Sequence, residues 1–381
     1  MFLRKYFREL LKEKINGADV IFVFLCLLIS VILIFIPTKF DDAIVSDAYP
    51  AKAEIVEVDN SGLHTIGIIH TGAQVLKLRI KDGKFKGKEF VSINHLLGKM
   101  EIDKIYRVGE DVFSVLEISD GKPIAIKVID RYRINLQILL LTMFAGFLII
   151  YAGWTGFKAV VSFIFSAAII WKVLLTGYLS YYPPITLSLI VTAIMTSVTI
   201  FLVAGFSKKG VTAFLGALSG VLLTCILSVI FGYFFKIPGE IKPFAETLLY
   251  TGFLNLRLSD IFLSGIFIAS SGAIMDVTMD IAASQDEIFL KNPEISRSEL
   301  IISGFRVGRT VIGTMTTTLL LAYSSGYSTM LMMFIAQGVP YLNILNMQYV
   351  SAEILNILVG SFGLVSVAPL TAIIGGMIYK K

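Results

Sequence analysis

The sequence predicts an α-helical transmembrane bundle with one small all-β domain inserted after the first helix, and three observations predict it. The 381 residues are 56% hydrophobic and only 16% charged, against about 25% charged in a soluble domain, and mean hydropathy is +0.80. Uncharged apolar runs of about 20 residues recur along the chain. That is the length a helix needs to cross the hydrocarbon core while satisfying its own backbone. One stretch, 38–132, breaks the pattern with high charge and short alternating segments. The net charge of +5 then reads as Lys and Arg held in short cytoplasmic loops, not as a nucleic-acid footprint.

Three parts follow: 1–37, a cytoplasmic N-terminus and first transmembrane helix; 38–132, an extracytoplasmic β-domain; and 133–381, the helical bundle. Residues 1–18 carry Arg4, Lys5, Arg8, Lys12 and Lys14 ahead of an apolar run from Ala18 to Pro37. The run is long and lacks a small-residue cleavage site. It is expected to be retained, with the basic N-terminus in the cytoplasm.

Within 38–132 the alternating segments are 53–58, 75–80, 88–93, 112–117 and 124–129, separated by turn chemistry such as Asp59-Asn-Ser-Gly62 and Asp82-Gly83. Five short strands at this spacing predict a small barrel, similar to an oligonucleotide/oligosaccharide-binding fold. Fold-level analogy names no ligand. His64, His70 and His95 match no zinc spacing and read as surface histidines. Cys26 and Cys225 sit in apolar runs, so neither a disulfide framework nor a thiol metal site is expected. No bound cofactor is signalled.

From Leu136 onward helices are predicted at 136–153, 158–176, 184–205, 211–235, 259–285, 299–324, 327–346 and 352–378. Lys158 and the pair Lys208 and Lys209 fall in loops that this order puts in the cytoplasm, and the aromatic loop 176–183 falls outside. The segment 327–346 is interrupted by Gly338 and Pro340, so the count is eight, with nine as the alternative. Lys172 can snorkel, Glu353 favours the N-terminus of the last helix, and Pro369 kinks it.

The chemistry concentrates in 259–324. Asp276 and Asp280 are four apart and share a helix face; Arg306 and Arg309 are three apart and share another. Ser296-Arg-Ser-Glu299 is a capping box that starts the second helix near Arg297. Residues at equal depth in an antiparallel hairpin have a nearly constant sum of sequence numbers. Asp276 with Arg309, and Asp280 with Arg306, share that sum to within one, so two ion pairs at matched depths are expected, with Asp276 roughly 9 Å to the cytoplasmic side of mid-membrane. A charge at such depth costs at least about 2.5 kcal/mol. Gly272, Gly304, Gly308 and Gly313 allow close packing of the helices, and Ser270, Ser271, Thr314 and Thr317 supply hydroxyls for a polar path. Two readings stand. Either the pairs only lock the hairpin, or Asp276 takes up and releases a proton while a neighbouring Arg sets its affinity.

The segments Gly272-Ala-Ile-Met-Asp-Val-Thr-Met-Asp280 and Gly308-Arg-Thr-Val-Ile-Gly-Thr-Met315 resemble the YibE/F-like family of bacterial membrane proteins. Lys86-Gly-Lys-Glu-Phe90, Tyr106-Arg-Val-Gly-Glu110 and Gly360-Ser-Phe-Gly-Leu-Val365 fit as well. The resemblance implies a multi-pass architecture and a related membrane protein as partner, in a homo- or hetero-oligomer, and carries over no catalytic residue. More distantly, the order helix, outer domain, bundle is similar to SecD and SecF of the resistance-nodulation-division superfamily, with Asp276 in the position of their intramembrane Asp. The expectation is a proton- or ion-coupled transporter or export-assisting protein. The alternative is a structural or regulatory component whose β-domain binds a partner or envelope polymer. No HExxH, GxSxG, Walker A or Cys/His pair suggests an enzyme.

Overall fold

The computed structural model describes residues 17–40, 48–119 and 122–380. The chain divides into two compact units, 37–147 on one side and 1–36 with 148–381 on the other.

Among the described residues the smaller unit holds six strands: β1 (Ala48–Asp59), β2 (Leu63–Ile66), β3 (Ile69–Ile80), β4 (Glu89–Leu97), β5 (Asp111–Ser119) and β6 (Lys122–Arg131). All five expected segments fall on strands. The addition is β2, a short hairpin arm whose Ile66 pairs with Ile69 across Gly67 and Ile68. It escaped the pattern because its side chains do not alternate between core and solvent. Every pairing is antiparallel, in the order β2-β3-β1-β5-β6 with β4 on β3. The result is an antiparallel half-barrel where a small barrel was expected, since among the described residues no ladder joins β4 to β6. Alternate residues Ile55, Leu76, Leu78, Ile80, Val112 and Leu116 are buried and form its core. Gln74, fully buried, bonds Asn60, Asn94 and the Tyr106 backbone, which pins the 98–110 loop to the sheet.

The helices are α1 (Gly17–Phe35), α2 (Ile134–Ile169, continued by Ile170–Leu175 and Thr176–Leu179), α3 (Pro184–Ala204), α4 (Lys208–Phe235), the short α5 (Ala245–Tyr250), α6 (Leu258–Lys291), α7 (Arg297–Ser324), α8 (Ser328–Ala336), the short α9 (Tyr341–Asn346) and α10 (Gln348–Tyr379). Among the described residues seven helices are long and apolar enough to cross a membrane, where the sequence reading expected eight or nine. Two differences account for this. The segments 136–153 and 158–176 are two helices, as expected, but they run together through a kink at Gly153 (φ 56°, ψ −129°) into one 46-residue stretch that counts once. A Cβ at Gly156 would stand only 2.2 Å from the Leu148 carbonyl oxygen, although eight residues of straight helix span about 12 Å. The segment 327–346 is no span: Gly338 and Pro340 divide it into α8 and α9.

Lys158 also departs from expectation. It lies inside the helix, only 6% exposed, with its ammonium 3.8 Å from Asp19. Lys172 reaches back to donate to the Ile36 carbonyl at 3.0 Å. The core of the bundle is α4, α6 and α10, packed through small residues. A Cβ on Gly216, Gly220 or Gly363 would collide with Thr371, Val367 or Thr224, so the backbones approach as closely as glycine allows. Several helix ends gather at one end of the bundle. Phe22 meets Phe206 with ring centroids 5.0 Å apart, and the Lys208 ammonium sits over Phe289 and Tyr379.

Candidate functional site

The α6–α7 hairpin forms as expected. Ser296 Oγ accepts from the Glu299 amide at 3.2 Å, and Glu299 Oε2 accepts from the Ser296 amide at 3.1 Å, so α7 starts at Arg297. The depth register also holds: Gly308 packs on Ile281, and Gln285 donates to the Leu300 carbonyl at 3.2 Å.

The facing does not. Ile274, Val277 and Ile281 form the buried line of α6. At 100° per residue, Asp280 and Asp276 lie about 100° and 140° to one side of Ile281, and both are exposed. On α7 the buried line runs through Gly304 and Gly308, which fit against Ala372 and Ala368 of α10. Arg306 and Arg309 lie about 160° and 100° from Gly308 and are exposed. The glycines that let α7 approach the bundle therefore turn its arginines outward. Ion pairs of the helical unit join Lys158 to Asp19, Lys242 to Glu353, Arg257 to Asp260 and Lys291 to Glu287. Among the described residues none joins Asp276 or Asp280 to Arg306 or Arg309.

The expected polar path divides in the same way. Ser270 and Ser271 are buried and bond back to the Phe267 and Ile268 carbonyls. Thr314 and Thr317 stand on the exposed side of α7. Gly272 and Gly313 face open space, with nothing within 4 Å of a Cβ at either position.

Two polar clusters escaped sequence reasoning. In the first, Glu353, 7% exposed, accepts from Lys242 Nζ at 2.7 Å, and Lys242 also donates to Tyr327 at 3.1 Å. Its ammonium lies 5.3 Å from the Phe262 ring centroid, and Asn356 donates to Glu353 at 3.4 Å. Burial alone would pull the Lys242 pKa down, but the bonds to Glu353 and Tyr327 outweigh it and hold it above the ordinary lysine value. Lys242 also borders a cavity of about 700 Å³ whose other lining residues, Phe244, Leu248 and Ile261 among them, are uncharged. In the second cluster, fully buried Gln285 donates to the Leu300 and Ala372 carbonyls and ties α6, α7 and α10 together. A visible signal for it was the spacing of seven between Ser264, Ser271, Thr278 and Gln285, all buried along α6. Lys242 and Glu353 are 111 residues apart, and no local pattern links them.

Among the described residues no group of three or more His, Cys, Asp or Glu side chains could hold a metal ion. Cys26 and Cys225 are free and buried.

No curated protein and no solved structure matches the chain, and nothing in the comparisons supports the likeness to SecD and SecF. The profile of the YibE/F-like proteins matches residues 140–381, which takes in α3 to α10 and the whole charged hairpin and leaves the β-domain outside. With well over half its length matched, this multi-pass membrane protein belongs to the YibE/F-like family.

Proposed function

We propose that the chain is a proton- or ion-coupled transporter or export-assisting protein, a carrier and not an enzyme, in which Asp276 and Asp280 are the coupling carboxylates. One observation carries the reading: both stand on the exposed face of an apolar spanning helix, and among the described residues neither makes an ion pair. An ionised carboxylate at such depth costs at least about 2.5 kcal/mol. Taking up a proton removes most of that cost, and losing it becomes favourable when water or a basic group reaches the site. Arg306 and Arg309, at matching depths on α7, are the groups that would set that affinity. In this reading the N-terminus is cytoplasmic. The bundle end marked by Phe22, Lys208 and Tyr379 then lies inside, with Lys209 and Lys380 beside it.

Proton flux into proteoliposomes under an imposed voltage tests this. Native flux that disappears in Asp276→Asn, at equal reconstitution and equal thermal stability, supports it. Equal flux in both overturns it.

A second reading, a structural or regulatory component whose β-domain binds a partner, is favoured by the apolar surface of that domain. Ile66, Ile68, Leu97 and Met100 are all exposed around the β2–β3 hairpin and the end of β4, an arrangement that marks interaction sites. Normal function in a chain with Ile66 and Ile68 both changed to Ser would remove this reading.

A further inference from the structure

We propose that two copies of this chain pair through the exposed faces of α6 and α7, each copy's Asp280 meeting Arg306 of the other. The proposal does not rest on transport. Among the described residues, four charges on adjoining helices of one bundle make no ion pair, two acidic on α6 and two basic on α7. Lipid cannot solvate them, and all four are exposed among the described residues. Only a small share of the α7 span is buried, against a third to a half for α3, α4, α6 and α10.

The complementarity is specific to a second copy. A two-fold axis along the membrane normal preserves depth and sets α6 of one copy against α7 of the other, the isologous arrangement usual for dimers. Residues whose sequence numbers share the hairpin sum then meet at one level. Three levels coincide: Gly272 with Gly313, Asp276 with Arg309, and Asp280 with Arg306. The two glycines that face open space thus fall opposite each other, where the absence of side chains lets the helices approach. The charges fall beside them with opposite signs.

The test uses the full-length protein in lipid nanodiscs or native membranes. Asp280→Arg and Arg306→Asp each place like charges across the two-fold axis, and each should weaken self-association at least about tenfold. Mixed together, the two variants should associate as the native chain does, because both contacts between them become opposite in sign. Loss of self-association in each variant with recovery in the mixture establishes the dimer. A native chain that is monomeric at every protein-to-lipid ratio, or a mixture no better than either variant alone, overturns it. Should the charge variants misfold, cysteine pairing decides. With Cys26 and Cys225 changed to Ala, chains carrying Gly272→Cys mixed with chains carrying Gly313→Cys should cross-link under mild oxidation. No cross-link in native membranes overturns the proposal, including the case in which a different membrane protein covers this face.

Discussion

Changing Glu353 to Gln should destabilise the bundle, and changing Lys242 to Met in the same chain should add nothing to that loss. Glu353 is only 7% exposed and holds Lys242 at 2.7 Å. Removing one partner of a buried pair strands the other charge, at about 3–5 kcal/mol. The two singles differ because the Lys242 side chain is 37% exposed while that of Glu353 is 9%. Glu353→Gln leaves an ammonium that can still reach water, so about 1–2 kcal/mol is expected. Lys242→Met leaves a buried carboxylate with only neutral neighbours, Asn356 and Tyr327, and should cost about 3 kcal/mol. The double variant strands nothing and should cost about 1 kcal/mol. Reversible denaturant unfolding in mild detergent, run as a double-mutant cycle, measures this. Singles that simply add, to within about 0.5 kcal/mol, would refute the claim that the two charges depend on each other.

Further outcomes follow from the same geometry. Gly375→Leu should cost more than about 3 kcal/mol, since a Cβ there meets Gln285 Oε1 at 1.9 Å and overpacking alone costs about 1–3; thermal unfolding in detergent reads it. Gly313→Leu, in open space, should leave protomer unfolding within about 0.5 kcal/mol of native. Gln74→Ala should destabilise the β-domain by about 1–3 kcal/mol by orphaning the buried Tyr106 amide, seen as faster amide exchange in residues 98–110. Acid should loosen the same domain only at low pH. Burial opposes ionisation of Asp111, but Lys52 and Lys81 outweigh it and hold its pKa below the usual value. Asp130 is held down likewise by Lys104 and the Arg131 amide against its own burial. Folded values below the unfolded ones give stability that is present above about pH 3.9 and is lost as pH falls through the folded values. Exchange protection of β5 and β6, followed from pH 6 to pH 2, should therefore fall only below about pH 3.9.

What the chain disclosed in one dimension followed from periodicity. The apolar runs and the alternating strands repeat within a few residues, and Ser296 with Glu299 announces the start of α7 from four adjacent letters. The hairpin register could be counted for the same reason. Which way each face turned could not, because it depends on α10. Gly304 and Gly308 seat against Ala372 and Ala368, some 60 residues downstream, and that seating rotates Arg306 and Arg309 away from α6. Lys158 misled because a lone lysine between apolar runs looks like a loop, and only the fold brings Asp19 beside it. Glu353 looked like a helix-end charge until a loop residue far upstream supplied its cation.

Pro369 sits near the middle of α10, and its ring leaves the Val365 carbonyl without an amide donor. On one side of it, Ala372 and Gly376 support Gly304 and Ile301 of α7. On the other side, Glu353 holds Lys242. Bending α10 at this joint would swing the start of α7 as a lever while the Lys242 end stays anchored. The helix that binds the bundle together thus also carries a joint between its two ends.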